Sequence, residues 1–188
     1  MLKLVTAPTA EPVTLSEVKA FCGISHDLDD SLLNILISAQ REHGESETSL
    51  SWAEKTLELV LSGFPTGAIA LQAPPIVAVS SVKYLDADGV EQTMPEADYI
   101  VDKDSFPGFV KPVNEWPETA DRSNAVKVRY TAGDWGDCFP VKAKLFLLNR
   151  VNTQYNQRES FVVGPNTKEM PRDFIAGLLD DMRLYWGI

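Results

Sequence analysis

The hydrophobic pattern of residues 14–50 is helical. Thr14-Leu15-Ser16-Glu17 has the form of a capping box, in which a threonine and a glutamate each accept a backbone N–H of the other, and it predicts a short helix that ends near Gly23. A second helix is predicted from Asp27 onwards. Its apolar residues recur at the spacing of one helical face: Leu28, Leu32, Ile35, Leu36 and Ala39. Prolines in the preceding residues 1–13 predict an extended N-terminal arm.

From about residue 55 to 132 the pattern changes to short alternating and β-branched segments. Asp86-Ala87-Asp88-Gly89 is a hairpin-type turn, with a glycine available for positive φ. Six or seven strands with turn signals between them predict a small antiparallel sandwich or barrel. The predicted strands lie near 56–61, 68–71, 77–85, 90–94, 99–102, 108–112 and 125–131.

Helical spacing returns after Pro140. Apolar residues recur at this spacing in two segments, first Val141, Leu145, Leu148, Val151 and Tyr155, then Ile175, Leu178, Leu179, Met182, Tyr185 and Trp186, with a loop predicted between them. The predicted fold class is α+β, a helical bundle unit with an inserted small antiparallel β-sandwich or barrel-like domain. The predicted divisions are an arm (1–13), a first helical part (14–50), a β insertion (55–132) and a second helical part (138–188).

Charge adds a constraint on function. The 188 residues contain 17 Lys+Arg and 27 Asp+Glu, a net charge of −10, and the sequence pI is about 4.6. Neutralisation of phosphate by cations supplies most sequence-independent affinity for nucleic acid. A protein with this excess of carboxylates is therefore a poor candidate for gripping DNA, although binding a protein or letting DNA pass stays open. Many acidic proteins use their charge only for solubility.

The motifs of known catalytic and metal sites are missing from the sequence. Neither P-loop, dinucleotide-binding nor nucleophile-elbow strings occur, and His26 and His43 have no zinc-ligand spacing. The acidic cluster at 27–30 lacks the glycine and glutamate of a calcium loop, so helix capping is the favoured interpretation. Cys22 and Cys138 are predicted to be reduced thiols, and without a signal peptide or an apolar run of 18 residues we expect a cytoplasmic product with no membrane anchor. We predict neither enzymatic activity nor a cofactor or metal.

The end of the chain is a candidate partner site. Three large apolar residues, Tyr185, Trp186 and Ile188, lie within the last four positions of the sequence. Trp and Tyr side chains often contribute most of the binding energy of an interface. Two interpretations stand: the aromatic residues bind a partner, or they close the core against the helix of 141–155. Deleting residues 184–188 distinguishes them, because only the core interpretation predicts loss of folding.

Two groups of charged residues could either contact a partner or lie on a solvated surface. Arg158 and Glu159, followed by Phe161 in the predicted loop, are candidates for an inter-subunit contact, whereas a solvated ion pair would contribute under about 1 kcal/mol. Lys127 and Arg129 fall on one face of a strand, near Arg122 in the sequence, and favour a solvated sheet face over a phosphate site.

Several strings together resemble one known family. They are LVTAPTAEPVTLSEVKAF, DLDDSLLNILISAQRE, TLELVLSGFP, SSVKYLDADGVEQTM, ADYIVD, VKVRYTAG and YNQRE. In this order and spacing, over roughly residues 2–183, they resemble the head-tail connector, or adaptor, family of tailed phages, prophages and gene transfer agents. The chain departs from the family at residues 45–52, where members often carry a Tyr-Thr-Gly type turn.

The resemblance implies a structural virion protein of the head-tail neck, made in the host bacterial cytoplasm. Such adaptors form a ring, commonly of twelve subunits, beneath the portal protein, extend the DNA channel, and dock a neck, stopper or tail-terminator protein. Genomic DNA would pass through without sequence-specific binding. The implied portal-binding residues lie at the C-terminal end: Arg183, Leu184, Tyr185, Trp186 and Ile188. The alternative is a monomeric module whose β domain binds a ligand or protein, and size-exclusion chromatography with and without portal protein distinguishes the two.

Overall fold

The computed structural model describes residues 1–157 and 177–184. The described chain has a mixed α+β fold in which every paired strand is antiparallel. Its elements, in chain order, are β1 (Leu2–Thr6), α1 (Leu15–Cys22), α2 (Asp30–Thr48), β2 (Lys55–Leu61), β3 (Ile69–Leu71), β4 (Ile76–Leu85), β5 (Glu91–Thr93), β6 (Tyr99–Asp102), β7 (Gly108–Pro112), β8 (Val126–Ala132) and α3 (Val141–Asn156), with short 3-10 helices at Glu96–Asp98, Gly136–Cys138 and Gly177–Met182.

The chain divides into two compact units. We call residues 1–10 and 53–135 the β unit, and residues 11–52, 136–157 and 177–184 the helical unit. The helical unit is therefore made of two separate stretches of sequence. In the described part of the chain no helix is both long and apolar enough to cross a membrane.

The β unit contains two sheets. A five-stranded sheet has the order β1-β2-β8-β4-β5, and a three-stranded sheet has the order β3-β7-β6. β8 lies at the centre of the larger sheet, and alternate residues Val126, Val128, Tyr130 and Ala132 are fully buried. In the described residues the sheets are open, with β1 and β5 at the edges of the larger one, so a closed barrel is not observed.

The predicted N-terminal arm is divided between the two units. Leu2–Thr6 form an edge strand paired with β2, and the Met1 amino group donates a hydrogen bond to the Val60 carbonyl oxygen at 2.8 Å. Further along, Val13 is buried in the helical unit. The backbone of LKLVT pairs with the side of β2 that does not contact β8. The first residues are therefore an edge strand of the sheet rather than an arm.

The capping box forms as the sequence predicts. The Glu17 N–H donates to the Thr14 hydroxyl at 3.2 Å, and the Thr14 N–H donates to the Glu17 carboxylate at 2.8 Å. The helix ends at Gly23, whose φ of 70° is a left-handed conformation that glycine adopts without strain. Local sequence therefore fixes both ends of α1.

The buried face of α2 is not the apolar face that the sequence pattern shows. The buried residues are Leu33, Ile37, Gln40, Arg41, Gly44, Glu45 and Thr48. Of that apolar face, Leu28 is 90% exposed and Ile35 is 65% exposed, while Leu36 is only half-buried. Hydrophobic spacing does not reveal the buried face because four polar residues and one glycine supply five of its seven positions.

Gly44 permits close packing of α2 against Trp52. Trp52 is 2% exposed, and a Cβ added at Gly44 would lie 2.2 Å from its Cη2 atom. The indole ring also meets Phe146 of α3 edge-on, with ring centroids 5.9 Å apart. Trp52 thus packs between α2 and α3.

The last described segment differs from the regular helix predicted from residue 175. Gly177–Met182 form a 3-10 helix in which Leu179 is 1% exposed. This short helix contacts both α2 and α3. Leu179 therefore belongs to the core of the helical unit.

We predict that Gly44→Ala destabilises the protein by about 2 kcal/mol. The methyl group overlaps the buried Trp52 ring, and this cost exceeds the gain in helix propensity of about 1 kcal/mol. Urea unfolding followed by circular dichroism measures the change. Ser46→Ala, at an exposed position of the same helix, is the control and should be neutral or slightly stabilising. Equal stability of Gly44→Ala and wild type would contradict the packing described.

Candidate interaction surfaces

Two of the five predicted portal-binding residues lie in the described part of the chain. The Arg183 guanidinium donates to the Glu47 carboxylate at 2.8 Å, and the Leu184 N–H donates to the Thr48 carbonyl oxygen at 3.0 Å. Tyr185, Trp186 and Ile188 lie outside the described residues. The described chain therefore ends beside the C-terminal end of α2.

The predicted inter-subunit residues Arg158, Glu159 and Phe161 also lie outside the described residues. Just before them, the Tyr155 hydroxyl donates to the Asp29 carboxylate at 2.6 Å. Asp29 is the N-cap residue of α2 but makes no side-chain cap hydrogen bond. The acidic start of α2 is thus attached to the end of α3, a role beyond the helix capping that the sequence indicated.

A buried ion cluster centred on Arg41 was not predicted. The Arg41 side chain is 5% exposed, and its guanidinium donates to Glu11 at 2.7 Å and to Glu45 at 2.9 Å. Glu11 belongs to the segment before α1, whereas Glu45 lies one turn further along α2. The cluster therefore joins two segments of the helical unit through one charge.

The same cluster reaches Trp52, four residues beyond the end of α2. The second Glu45 oxygen accepts the Trp52 backbone N–H at 2.7 Å, and the Trp52 indole N–H donates to the Thr48 hydroxyl at 3.1 Å. The sequence signal was available, since Arg41 and Glu45 stand four residues apart and continue the line of Leu33 and Ile37. A hydrophobicity pattern alone discards such charged positions.

A second charge contact links α1 to α3. The Lys144 ammonium donates to the Glu17 carboxylate, which also accepts the Thr14 N–H. The Lys144 hydrogen bond, followed by that of the Thr14 backbone, lowers the pKa of Glu17 to about 2. Both side chains are 39% exposed, so solvent weakens the contribution of this pair to stability.

The basic residues of β8 are neutralised by neighbouring carboxylates. Lys127 is 3.1 Å from Glu91, which also pairs with Lys83, and Arg129 is 2.7 Å from Glu58. Hydrogen bonds from the two lysines lower the pKa of Glu91. These cross-strand pairs agree with the predicted solvated sheet face and leave little reason to expect a phosphate site.

The negative charge of the protein is concentrated in one stretch of the β unit. Residues 86–121 carry ten acidic and two basic side chains, a net charge of 2 − 10 = −8 against −10 for the whole chain. The stretch includes β5, β6, β7 and the loops between them. Its acidic residues are Asp86, Asp88, Glu91, Glu96, Asp98, Asp102, Asp104, Glu115, Glu118 and Asp121.

The β unit also contains an open pocket of about 500 Å³. Its lining comes from β2, β3 and the loop between them, and holds no acidic, basic, histidine or cysteine side chain. Phe64 in this lining stacks on Trp116 with ring centroids 4.4 Å apart. The described residues include no group of three or more His, Cys, Asp or Glu that could hold a metal ion. Ser62 is the hydroxyl-bearing residue of this lining, and the lining offers no acidic or basic side chain to activate it.

Comparison with known proteins gives a match between part of the chain and a protein-family model. Residues 12–93 match the family model described as phage gp6-like head-tail connector protein. No curated protein matches the chain. The matched segment covers the end of the predicted arm, α1, α2 and strands β2 to β5.

Solved structures match the chain over its whole length. It is similar to a chain in the neck of an empty gene transfer agent (GTA) particle computed with C6 symmetry, with a TM-score of 0.80 and 18% identity, covering 100% of this chain and 97% of the other. The corresponding values are 0.79 and 19% for the virion of a native GTA particle, and 0.77 and 17% for the neck of a native GTA particle computed with C12 symmetry, with the same coverages.

We predict that Arg41→Met destabilises the helical unit by about 3 kcal/mol. The substitution keeps most of the side-chain volume but leaves the buried Glu45 carboxylate without its cation. Urea unfolding is the measurement. Arg129→Met is the matched control, because Arg129 is 47% exposed and its pair with Glu58 should contribute under about 1 kcal/mol. If both variants lose the same stability, the Arg41 cluster has no special role.

The matched family and the neck structures are structural particle proteins rather than enzymes, in agreement with the absence of catalytic motifs. The region of the family match contains the capping box, the acidic start of α2 and the hairpin on which the sequence resemblance partly rested. The resemblance of this chain to the phage head-tail connector family is thereby confirmed.

Proposed function

We propose that this protein is a structural component of the head-tail neck of a tailed phage, prophage or gene transfer agent particle. The observation that carries the proposal is the agreement between two independent comparisons, a connector family match over residues 12–93 and a fold match to GTA necks over the whole chain. It acts by docking to other proteins and not by chemistry.

In this proposal the protein works as a ring subunit. The GTA neck structures were computed with sixfold and twelvefold symmetry, which supports a ring of twelve copies here. The ring lies beneath the portal protein, extends the DNA channel and offers its far side to a neck, stopper or tail-terminator protein.

The charge distribution supports passage of DNA without binding. Twelve copies carry a charge of about −120, and an acidic wall repels phosphate and avoids the cation contacts that retain DNA. We place the stretch 86–121 toward the channel, because it holds most of the net charge. Lys127 and Arg129 on β8 are paired with Glu91 and Glu58 on neighbouring strands. Their positive charge is therefore neutralised and offers DNA phosphates little attraction.

We assign portal docking to the C-terminal end. Arg183 and Leu184 are hydrogen-bonded to the end of α2. The proposed docking segment therefore begins at a residue whose position is fixed. Tyr185, Trp186 and Ile188 are the side chains proposed to enter the portal surface. Arg158, Glu159 and Phe161 are proposed to contact the neighbouring subunit.

Removing the gene from the strain that produces the particle tests the function. We expect DNA-filled heads without tails, because the tail then has no docking surface, and restoration of tailed particles by the wild-type gene on a plasmid. Electron microscopy counts both classes, and mass spectrometry of purified particles checks for the protein. Tailed particles that form without the gene, or restored particles that lack the protein, would overturn the proposal.

Truncation after Leu184 tests the docking segment separately. We expect the truncated chain to unfold at the same urea concentration as wild type but to produce at least tenfold fewer tailed particles in the deletion strain. Keeping Leu184 preserves its hydrogen bond to Thr48. A truncated chain that unfolds would favour a core role for the aromatic residues, and one that restores tailed particles would exclude docking by this segment.

A further inference from the structure

Two helices of the helical unit carry an exposed apolar stripe in addition to their buried face. On α2 the stripe consists of Leu32, Ile35 and Ala39, and Leu28 continues it in the turn before the helix. Ile35 is 65% exposed and Leu28 is 90% exposed. Spacings of four, three and four residues are the pattern of a coiled-coil seam, which is narrower than the face that a helix buries in its own core.

The stripe on α3 has the same form. It consists of Val141, Leu145 and Leu148, spaced by four and three residues, and Val141 is 79% exposed while Leu145 is 41% exposed. The buried residues of α3 are Ala143, Phe146, Leu147 and Val151. Helical geometry places each stripe on the side of its helix away from the buried residues. Leu32 and Leu148 are half-buried, whereas the other residues of both stripes are exposed.

The two helices also carry opposite charge. α2 contains four acidic residues and one arginine, whereas α3 contains three basic residues and no acidic one. These charges already have partners within the copy: Lys142 pairs with Asp181, Lys144 pairs with Glu17, and Glu42 lies 3.7 Å from Arg41. Because the charges beside both stripes are neutralised, they add little repulsion to a contact between copies, and a partner for the α2 stripe needs only a matching apolar seam, which α3 supplies.

We infer that the α2 stripe of one copy packs against the α3 stripe of the next copy, and that this contact closes the ring. The inference rests on the proposed function and names the surface through which subunits would associate. A ring requires a head-to-tail interface made from two different surfaces of the same chain. Leu28, Leu32, Ile35 and Ala39 form one such surface, and Val141, Leu145 and Leu148 form the other.

Photo-cross-linking in assembled particles tests the contact. The deletion strain is supplied with the gene carrying p-benzoylphenylalanine in place of Ile35, and in a second experiment in place of Leu145. After irradiation of particles that contain equal amounts of light and isotopically heavy protein, mass spectrometry maps the cross-links. Residue 35 should link to residues 141–152 of another copy, and residue 145 to residues 28–42 of another copy.

The same cross-linker in place of Ile100 is the control, because this isoleucine is 59% exposed but lies in the β unit. It should give no cross-link to residues 141–152. Links from residue 35 to α2 of another copy, to a different particle protein, or to residues 158–176 or 185–188 of its own chain would each overturn the inference while leaving the neck function intact. Particles that assemble with tails but lack the protein would overturn the proposed function instead.

Charge substitutions provide an independent measurement. Ile35→Lys and Leu145→Glu should each reduce tailed particles at least tenfold, because each places a charge in an apolar seam. Both positions are exposed in the single chain, so the urea midpoints of the purified variants should equal that of wild type. Folded variants that restore tailed particles to the wild-type level would contradict the inference.

Discussion

The helical unit depends on one buried charge. It is assembled from two stretches of chain separated by residues 53–135. The Arg41 guanidinium brings together Glu11, Glu45 and, through Glu45, the Trp52 backbone. A buried ion pair contributes little net stability compared with an apolar replacement, but it penalises every arrangement that leaves the charge unpaired. The cluster therefore acts mainly on specificity. It fixes how the segment before α1 and the backbone at Trp52 are held against α2.

Local signals in the sequence predict local structure well here. The capping box, the hairpin turn near Gly89 and the strands at 99–102 and 108–112 are found where the pattern placed them, because neighbouring residues determine each one. Strand order is different, since β8 inserts between β2 and β4 from more than forty residues away. Pairing at that distance depends on which apolar faces fit together, and spacing does not encode it.

The exposed apolar stripe on α2 and its partly polar buried face have one physical origin. A pattern method assigns apolar residues to the core, yet this helix has an apolar stripe outside and a half-polar stripe inside. Burying Arg41 and Glu45 works because they neutralise each other, and burying Gly44 works because Trp52 fills the space. Once those residues provide the inner face, Ile35 and its neighbours are left on the outer one. An exposed stripe of this kind is expected in a chain whose burial is completed by a neighbour.

Electrostatics then limits how such a ring could hold together. With a net charge of −10 on each copy, bringing subunits together is unfavourable unless the contact itself is locally neutral or complementary. The distribution of charge in this chain meets that condition. Most of the net negative charge lies in residues 86–121 of the β unit, whereas Lys142 and Lys144 on α3 are paired with Asp181 and Glu17. A channel wall that repels DNA and an apolar seam between subunits are therefore compatible in the proposed ring, because different elements would supply them.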